Sequence, residues 1–275
     1  MKKFLVIMLS LVMALTMFTA CGQKEDTADA EKAIGGALSV MGASEEEINQ
    51  TMVDFGNTSV VKCFDDMNSM ILALQGGKVD FIGIIPEATA KYIVNNYSDI
   101  KAKQQLFDGE DSFLNYYMGF NSGKKDIADK VKAAIDEMKS DGTLDKLSTE
   151  YIDAFVEGGE PSAVEMPVID GAETIKVVVT GDLPPFDYVS ADGKPCGFNT
   201  AMLAELSKRI GMNIELVCTN SAGRSAALAS EKADAVFYMS EYVTSAQKYN
   251  HDYSESIIPV GPFYETKSYT LRLAE

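Results

Sequence analysis

Carboxylates and phenols dominate the reactive side chains of this sequence: 41 Asp and Glu stand against 24 Lys and Arg, with one His and four Cys. So few thiols and imidazoles leave little material for a metal site, and no metal or other cofactor is expected. The sequence holds no G-x-S-x-G elbow, no H-E-x-x-H pair and no phosphate-cradling loop. Cys196 and His251 lack any context that would orient them as a thiol–imidazole pair, and His251, between Asn250 and Asp252, reads as an exposed loop residue. Catalysis is therefore not expected, and recognition is what the remaining groups offer. Glu87, Glu241 and Asp182 could receive an ammonium, each competing with a reading as a solvated surface acid. Tyr238, Tyr188 and Phe186 supply rings whose faces favour a cation, although Phe186 reads equally as core. Ser44 precedes Glu47 by three residues and reads first as a helix cap, second as a ligand hydroxyl. Ser240 lies beside Glu241 and joins the candidate binding residues. A formal charge of −17 would repel phosphate backbones, so nucleic acid is excluded as a partner.

Elements that could position these groups begin after an export signal. Lys2 and Lys3 precede an uncharged run from Phe4 to Ala20, followed by Cys21-Gly22 and the polar Gln23-Lys24-Glu25-Asp26. That is the pattern of a secretory n-region and h-region, marginal in length for spanning a bilayer. Phe18-Thr19-Ala20-Cys21 resembles a bacterial lipobox, departing from it at Phe18, and implies lipidation of Cys21 with removal of residues 1–20; a simple signal peptide or uncleaved anchor is the competing reading. Removal takes two lysines and leaves −19 on the mature chain. Cys63, Cys196 and Cys218 remain, an odd number; Cys63 and Cys218 read as small buried hydrophobes, and a Cys196–Cys218 disulfide stays open.

Residues 21–36 read as lipidated cysteine and tether. Beyond them, strand-like runs at 37–41, 59–64 and 79–85 alternate with a helix capped by Ser44 and helical runs at 66–74, 87–96 and 126–139, the last two flanking an extended stretch at 114–120, the signature of a parallel sheet with helical crossovers. Gly, Pro and Glu at 158–173 mark a linker. Alternation restarts with a Val-rich strand at 175–180, a turn at Asp192-Gly193, a helix at 200–210 stopped by Gly211, a strand at 214–218, a helix at 223–229, a strand at 233–238 and an extended tail at 267–273. Ala73-Leu74-Gln75-Gly76-Gly77-Lys78-Val79-Asp80 and Ala227-Leu228-Ala229-Ser230-Glu231-Lys232-Ala233-Asp234 share A-L-x-x-x-K-x-D. Each ends a helix and starts a strand, so two similar α/β lobes are expected. Ligands bind at the carboxyl ends of strands in such sheets.

The run Ile175 to Thr180 with Gly181-Asp182-Leu183-Pro184-Pro185-Phe186-Asp187-Tyr188, then Asp192-Gly193 and Cys196-Gly197-Phe198-Asn199, resembles the first lobe of the amino-acid-type solute-binding proteins of ABC importers. Residues 37–157 resemble that family's second lobe and closing helices, with Tyr117-Met118-Gly119-Phe120 as the return crossover and Asp141-Gly142-Thr143-Leu144, Leu147 and Tyr151 in the closing helices. The lobe order is reversed, which a circular permutation explains; fusion remnants or lobes exchanged between chains are the alternatives. The resemblance implies a signal peptide at 1–20, a lipidated tether at 21–36, a second-lobe-like domain at 37–116, a return crossover and closing helices at 117–157, a linker at 158–173, and a first-lobe-like domain with a hinge strand at 174–275. The implied fold class is α/β, two similar lobes, each a mainly parallel sheet flanked by helices, joined by a two-strand hinge.

Family members place an Arg, hydroxyls, a Gly-Thr helix start and an Asp around an α-amino acid. Here the Arg position falls on Ala246 or Gln247, the Asp position near Ile85, and Gly-Thr becomes Gly42-Ala43 with Ser44 keeping a hydroxyl. Arg224 matches a cleft-facing family position and could replace the lost guanidinium; a solvated surface Arg is the competing reading. The expected function is a monomeric, lipid-anchored extracytoplasmic binding protein that delivers a small polar solute to an ABC permease complex by hinge closure. A dehydratase-like enzyme on the same fold and a sensor or adhesion lipoprotein are the alternatives.

Overall fold

The computed structural model describes residues 32–39, 44–54, 59–107, 109–159, 163–221, 223–244 and 256–274. The expected signal run, Cys21, Gly42-Ala43, Ala246, Gln247 and His251 lie outside them. No helix among the described residues is long and apolar enough to cross a membrane. In chain order the first elements are β1 (Ile34–Leu38), α1 (Glu45–Asp54), β2 (Val60–Phe64), α2 (Met67–Gln75), β3 (Phe81–Pro86) and α3 (Glu87–Asn96). Next come β4 (Ile100–Gln104), β5 (Leu106–Phe107), β6 (Glu110–Asn121), α4 (Lys125–Ser140), α5 (Thr143–Ser148), α6 (Ala154–Val156) and β7 (Thr174–Val179). The rest are β8 (Asp182–Leu183), β9 (Asp187–Val189), β10 (Pro195–Cys196), α7 (Phe198–Ile210), β11 (Asn213–Cys218), α8 (Gly223–Ala229), β12 (Ala235–Thr244) and β13 (Ile257–Leu273). The class is mixed α/β with mainly parallel sheet pairing and flanking helices. The chain divides into two compact units, one of residues 1–114, 241–252 and 266–275, the other of 115–240 and 253–265.

In the first unit β1 runs parallel to both β2 and β3, and the end of β13 pairs antiparallel with β3 and β4. The strand β1 starts at Ile34, three residues before the expected position, and passes through Gly35-Gly36. Glycine lowers strand propensity, which hid the strand's start in sequence, but a Cβ on Gly35 would lie 2.6 Å from Phe81 Cζ. Close approach of the Phe81 ring thus explains the glycine. Asp66 caps α2 by accepting from Ser69 N–H at 2.8 Å, and Met70, Ile71 and Leu74 bury its inner face with Phe81 and Ile82.

The second unit has the strand order β11-β7-β12-β6-β13, with β11 and β12 parallel to β7. Val177, Val178, Val236 and Phe237 are wholly or almost wholly buried. Their near-continuous apolar runs are what a parallel strand covered on both faces requires. On α7, Met202, Leu203 and Leu206 are buried, and Gly211 at φ 67° ends the helix. Residues 163–173 of the expected linker are held against this unit. Val164 N–H donates to Pro195 O at 2.9 Å, its side chain packs with Ala201 and Ala204, and Asn213 accepts from Ile169 N–H and donates back to Ile169 O.

Arg209 ties α7 to the segments around α5: it contacts Asp141 at 2.8 Å, Glu205 at 3.0 Å and Thr143 Oγ1 at 2.9 Å. Hydrogen bonds from Thr143, then from Arg209, hold the Asp141 carboxyl down at about 2, below its ordinary 3.8. A depressed carboxyl stabilises the fold above its unfolded value, and the contribution is lost as pH falls through the folded value. Asp141→Asn should therefore melt below wild type at about pH 5, with the gap closing as the pH drops from about 4 toward 2. Arg209→Ala should lower Tm by roughly 2–4 °C at neutral pH. Circular-dichroism melts across pH check both.

Candidate functional site

In the second unit Asp182 follows the carboxyl end of β7, the segment leading to Arg224 follows that of β11, and Tyr238 lies within β12. After β7 the chain makes the tight loop from Gly181 to Asp187, which is built on one acid. Asp187 Oδ1 accepts from Thr180 N–H at 2.9 Å, Thr180 Oγ1–H at 2.6 Å and Gly181 N–H at 2.6 Å, while Oδ2 accepts from Asn199 Nδ2 at 2.8 Å. It is 1% exposed. The start of α7 closes the loop: Phe198 N–H donates to Pro185 O and Asn199 N–H to Phe186 O. Asp187 brings no chemistry of its own to a solute; it shapes the loop that carries Asp182. Only its position directly after Pro184-Pro185-Phe186 distinguishes it in sequence from the many surface acids.

Arg224 is the charged group this geometry singles out. It stands in the first turn of α8 and is only 9% exposed. Its Nη1 donates to the Tyr238 carbonyl at 3.0 Å and its Nε to the Ser221 carbonyl at a long 3.5 Å. Burial pushes its proton affinity below the ordinary value, and the fields of Asp187, Tyr238 and Asp182 push back. The competing reading as a solvated surface arginine is overturned.

Tyr238 adopts φ 68°, a left-handed conformation uncommon outside glycine, and presents its carbonyl to Arg224. Its ring stacks on Tyr116 at 4.0 Å. Burial raises the phenols of Tyr238 and Tyr116 well above their ordinary value. Phe186 is 0% exposed and lies 5.1 Å from the Tyr238 ring and 5.3 Å from Tyr264. The expectation that Phe186 walls a ligand is therefore corrected: its ring is core, enclosed among Tyr238, Phe198 and Tyr264. Tyr188 is half-buried with its ring 5.2 Å from Phe155, packed on its neighbour. Ser240 is exposed.

Three other candidates belong to the first unit. Ser44 is exposed and stands immediately before α1. Glu87 opens α3 and is paired with Lys91 at 2.8 Å. Glu241 is buried. Asp182, Phe186, Tyr188, Arg224, Tyr238 and Ser240 thus fall in the second unit, where Arg224 bonds the Tyr238 carbonyl and feels the field of Asp182.

The repeat seen in sequence extends further in structure. Asp80 N–H donates to Ile34 O at 2.7 Å and its carboxylate accepts from Ile34 N–H at 2.6 Å. Asp234 makes the same reciprocal pair with Lys176, at 2.9 and 2.8 Å. Four residues on, Ile84 has φ 61° and Tyr238 φ 68°; seven residues on stand Glu87 and Glu241. A β-branched residue in the left-handed region is an outlier, so the kink belongs to the repeated unit and not to tyrosine as such.

All three described cysteines are free thiols, so Cys196 and Cys218 are not paired. Cys196 is buried, whereas Cys218 is exposed, against its reading as a buried hydrophobe: it ends β11, where the strand's apolar run gives out. Burial pushes the Cys63 thiol up to about 11. No group of His, Cys, Asp and Glu able to hold a metal occurs among the described residues.

Residues 175–260 match the sequence model of the bacterial extracellular solute-binding proteins, family 3. That is about a third of the chain, and it supports this family. No curated protein sequence matches. Among solved structures, NikA from Staphylococcus aureus in complex with Ni(L-His)2 is similar at 12% identity and TM-score 0.42, over 78% of this chain and 57% of that one. A lipoprotein from Clostridium difficile 630 is similar at 14% identity and TM-score 0.39, over 88% and 83%. An ancestral arginine-binding protein bound to arginine is similar at 12% identity and TM-score 0.37, over 89% and 84%. The chain thus spans little more than half of the nickel–histidine protein's length.

Proposed function

We propose that this chain is the solute-binding component of an ABC importer, held outside the cell membrane by a lipid on Cys21, and that it works as a monomer. A small polar solute seats on the second unit at Arg224, beside Asp182 and Tyr238, and hinge closure traps it for the permease complex. The observation that carries this reading is the enclosed guanidinium of Arg224, which follows the carboxyl end of a parallel strand inside the segment that matches a solute-binding family. The family is one of binding proteins, which supports capture without turnover.

Lobe order belongs to the same proposal. The family match begins at residue 175, deep in the chain, while β1 and the end of β13 both hydrogen-bond to β3 in one unit. Both features support a circular permutation: a second-lobe-like domain at 37–116, preceded by signal and tether and with its first strand drawn back to Ile34, then crossover and closing helices at 117–157, the linker at 158–173, and a first-lobe-like domain at 174–275.

A thermal-shift screen of the purified mature chain against amino acids, polyamines, small carboxylates, sugars and short peptides tests the function. A cognate solute at about one hundred times its Kd should stabilise by about 2.7 kcal/mol, a rise of roughly 5–10 °C. Turnover of a bound compound would instead favour the dehydratase-like alternative, and a screen without any shift would contradict solute binding.

A further inference from the structure

We infer that the solute is a small carboxylate, seated by its anion on Arg224, and that the second unit does not read an ammonium group. This deepens the solute-binding reading and rests on it.

A guanidinium has five N–H donors, and Arg224 uses two of them, on the Ser221 and Tyr238 carbonyls. The other three have no acceptor among the described residues, and no carboxylate there lies within ion-pair distance of Arg224. A cation that is 9% exposed is costly to keep without an anionic partner. Two parallel N–H bonds to a carboxylate are the geometry that a guanidinium fork completes best. The carbonyls on Nε and Nη1 fix the fork from behind.

The acids of the same unit are not set out to receive an ammonium. Asp187 spends both oxygens on four donors of its own loop and helix. Asp182 is half-buried and has contacts of its own, and its field already acts on Arg224. An ammonium carried next to a carboxylate on Arg224 would approach the guanidinium and meet repulsion. Among the described residues, the group of this site left with unused donors is the Arg224 guanidinium.

Titration calorimetry on the mature chain with matched pairs tests this: succinate against L-aspartate, glutarate against L-glutamate, and 3-phenylpropionate against L-phenylalanine, with putrescine as the cation. At least one amine-free acid should bind, and at least as tightly as its amino acid. Arg224→Gln should weaken that acid by about tenfold or more, and Arg224→Lys by about tenfold, since a point charge cannot form the paired bonds. Both variants without solute should melt within a few degrees of wild type or above it, because they relieve or preserve an unmatched buried charge. Overturning results are an amino acid binding about tenfold tighter than its amine-free partner, binding of putrescine, no binding by any acid, or unchanged affinity in both variants. Collapse of the folded state in both variants would make Arg224 a brace and also overturn the assignment. If a sugar or peptide binds while every acid fails, solute binding stands and the carboxylate class falls.

Discussion

Gly197→Ala is expected to destabilise the second unit by about 3 kcal/mol or more, a fall in Tm of roughly 6–12 °C. Gly197 has φ +98°, and a Cβ there would lie 2.4 Å from the Phe186 carbonyl oxygen and 2.7 Å from that of Pro185. Those two carbonyls receive the first N–H groups of α7, so they cannot retreat without losing the bonds that join helix and loop. Steric overlap with backbone adds to the cost of a left-handed alanine. Gly193→Ala separates the two effects: it too has positive φ, +81°, but nothing lies within 4 Å of the added atom. It should cost only about 1 kcal/mol. Equal melting of the two variants would mean that the α7 start is not packed on the loop as described.

Asp187→Ala is expected to cost about 3 kcal/mol or more and to remove solute binding in the protein that remains folded. The substitution leaves Thr180 N–H, the Thr180 hydroxyl, Gly181 N–H and Asn199 Nδ2 without their acceptor. Buried donors left unmade cost about 1–3 kcal/mol each, partly recovered by water. Asn199 is fully buried and its Oδ1 already lacks a partner, so the amide has little means of compensating. The loop between β7 and β9 carries Asp182, and Asp187 is the leading negative field offsetting burial of Arg224. Loss of binding should therefore exceed what the fall in stability explains. Urea titration gives the stability term, and calorimetry at a denaturant-free temperature well below the melt gives the binding term; wild-type affinity in Asp187→Ala would detach the loop from the site.

Local periodicity made the alternation of strands and helices legible, together with the Gly211 stop and the repeat around Asp80 and Asp234. Strands set by distant pairing were harder to read. β4, Ile-Lys-Ala-Lys-Gln, buries Ile100 and exposes both lysines; it is a strand because β13 pairs with it, not because its residues favour one. β13 runs from Ile257 to Leu273 where only its last seven residues read as extended, since Pro259, Gly261 and Pro262 look like a break in a local window. At the site, the residue types were visible and their surroundings were not. Arg224 looks alike in sequence whether it faces water or the Tyr238 carbonyl fourteen residues later. Asp187 is one acid among many until Thr180, Gly181 and Asn199 converge on it. Phe186 shows the reverse case, where a ring suited to walling a ligand is taken into the core by its neighbours.

Capture of a solute on Arg224 would be visible in a co-crystal structure with the compound that raises Tm most in the screen. One bound molecule is expected, with an oxygen within about 3 Å of the Arg224 guanidinium and the Tyr238 and Ser221 carbonyls still holding that guanidinium from behind. A ligand seated elsewhere, with Arg224 untouched, would contradict it.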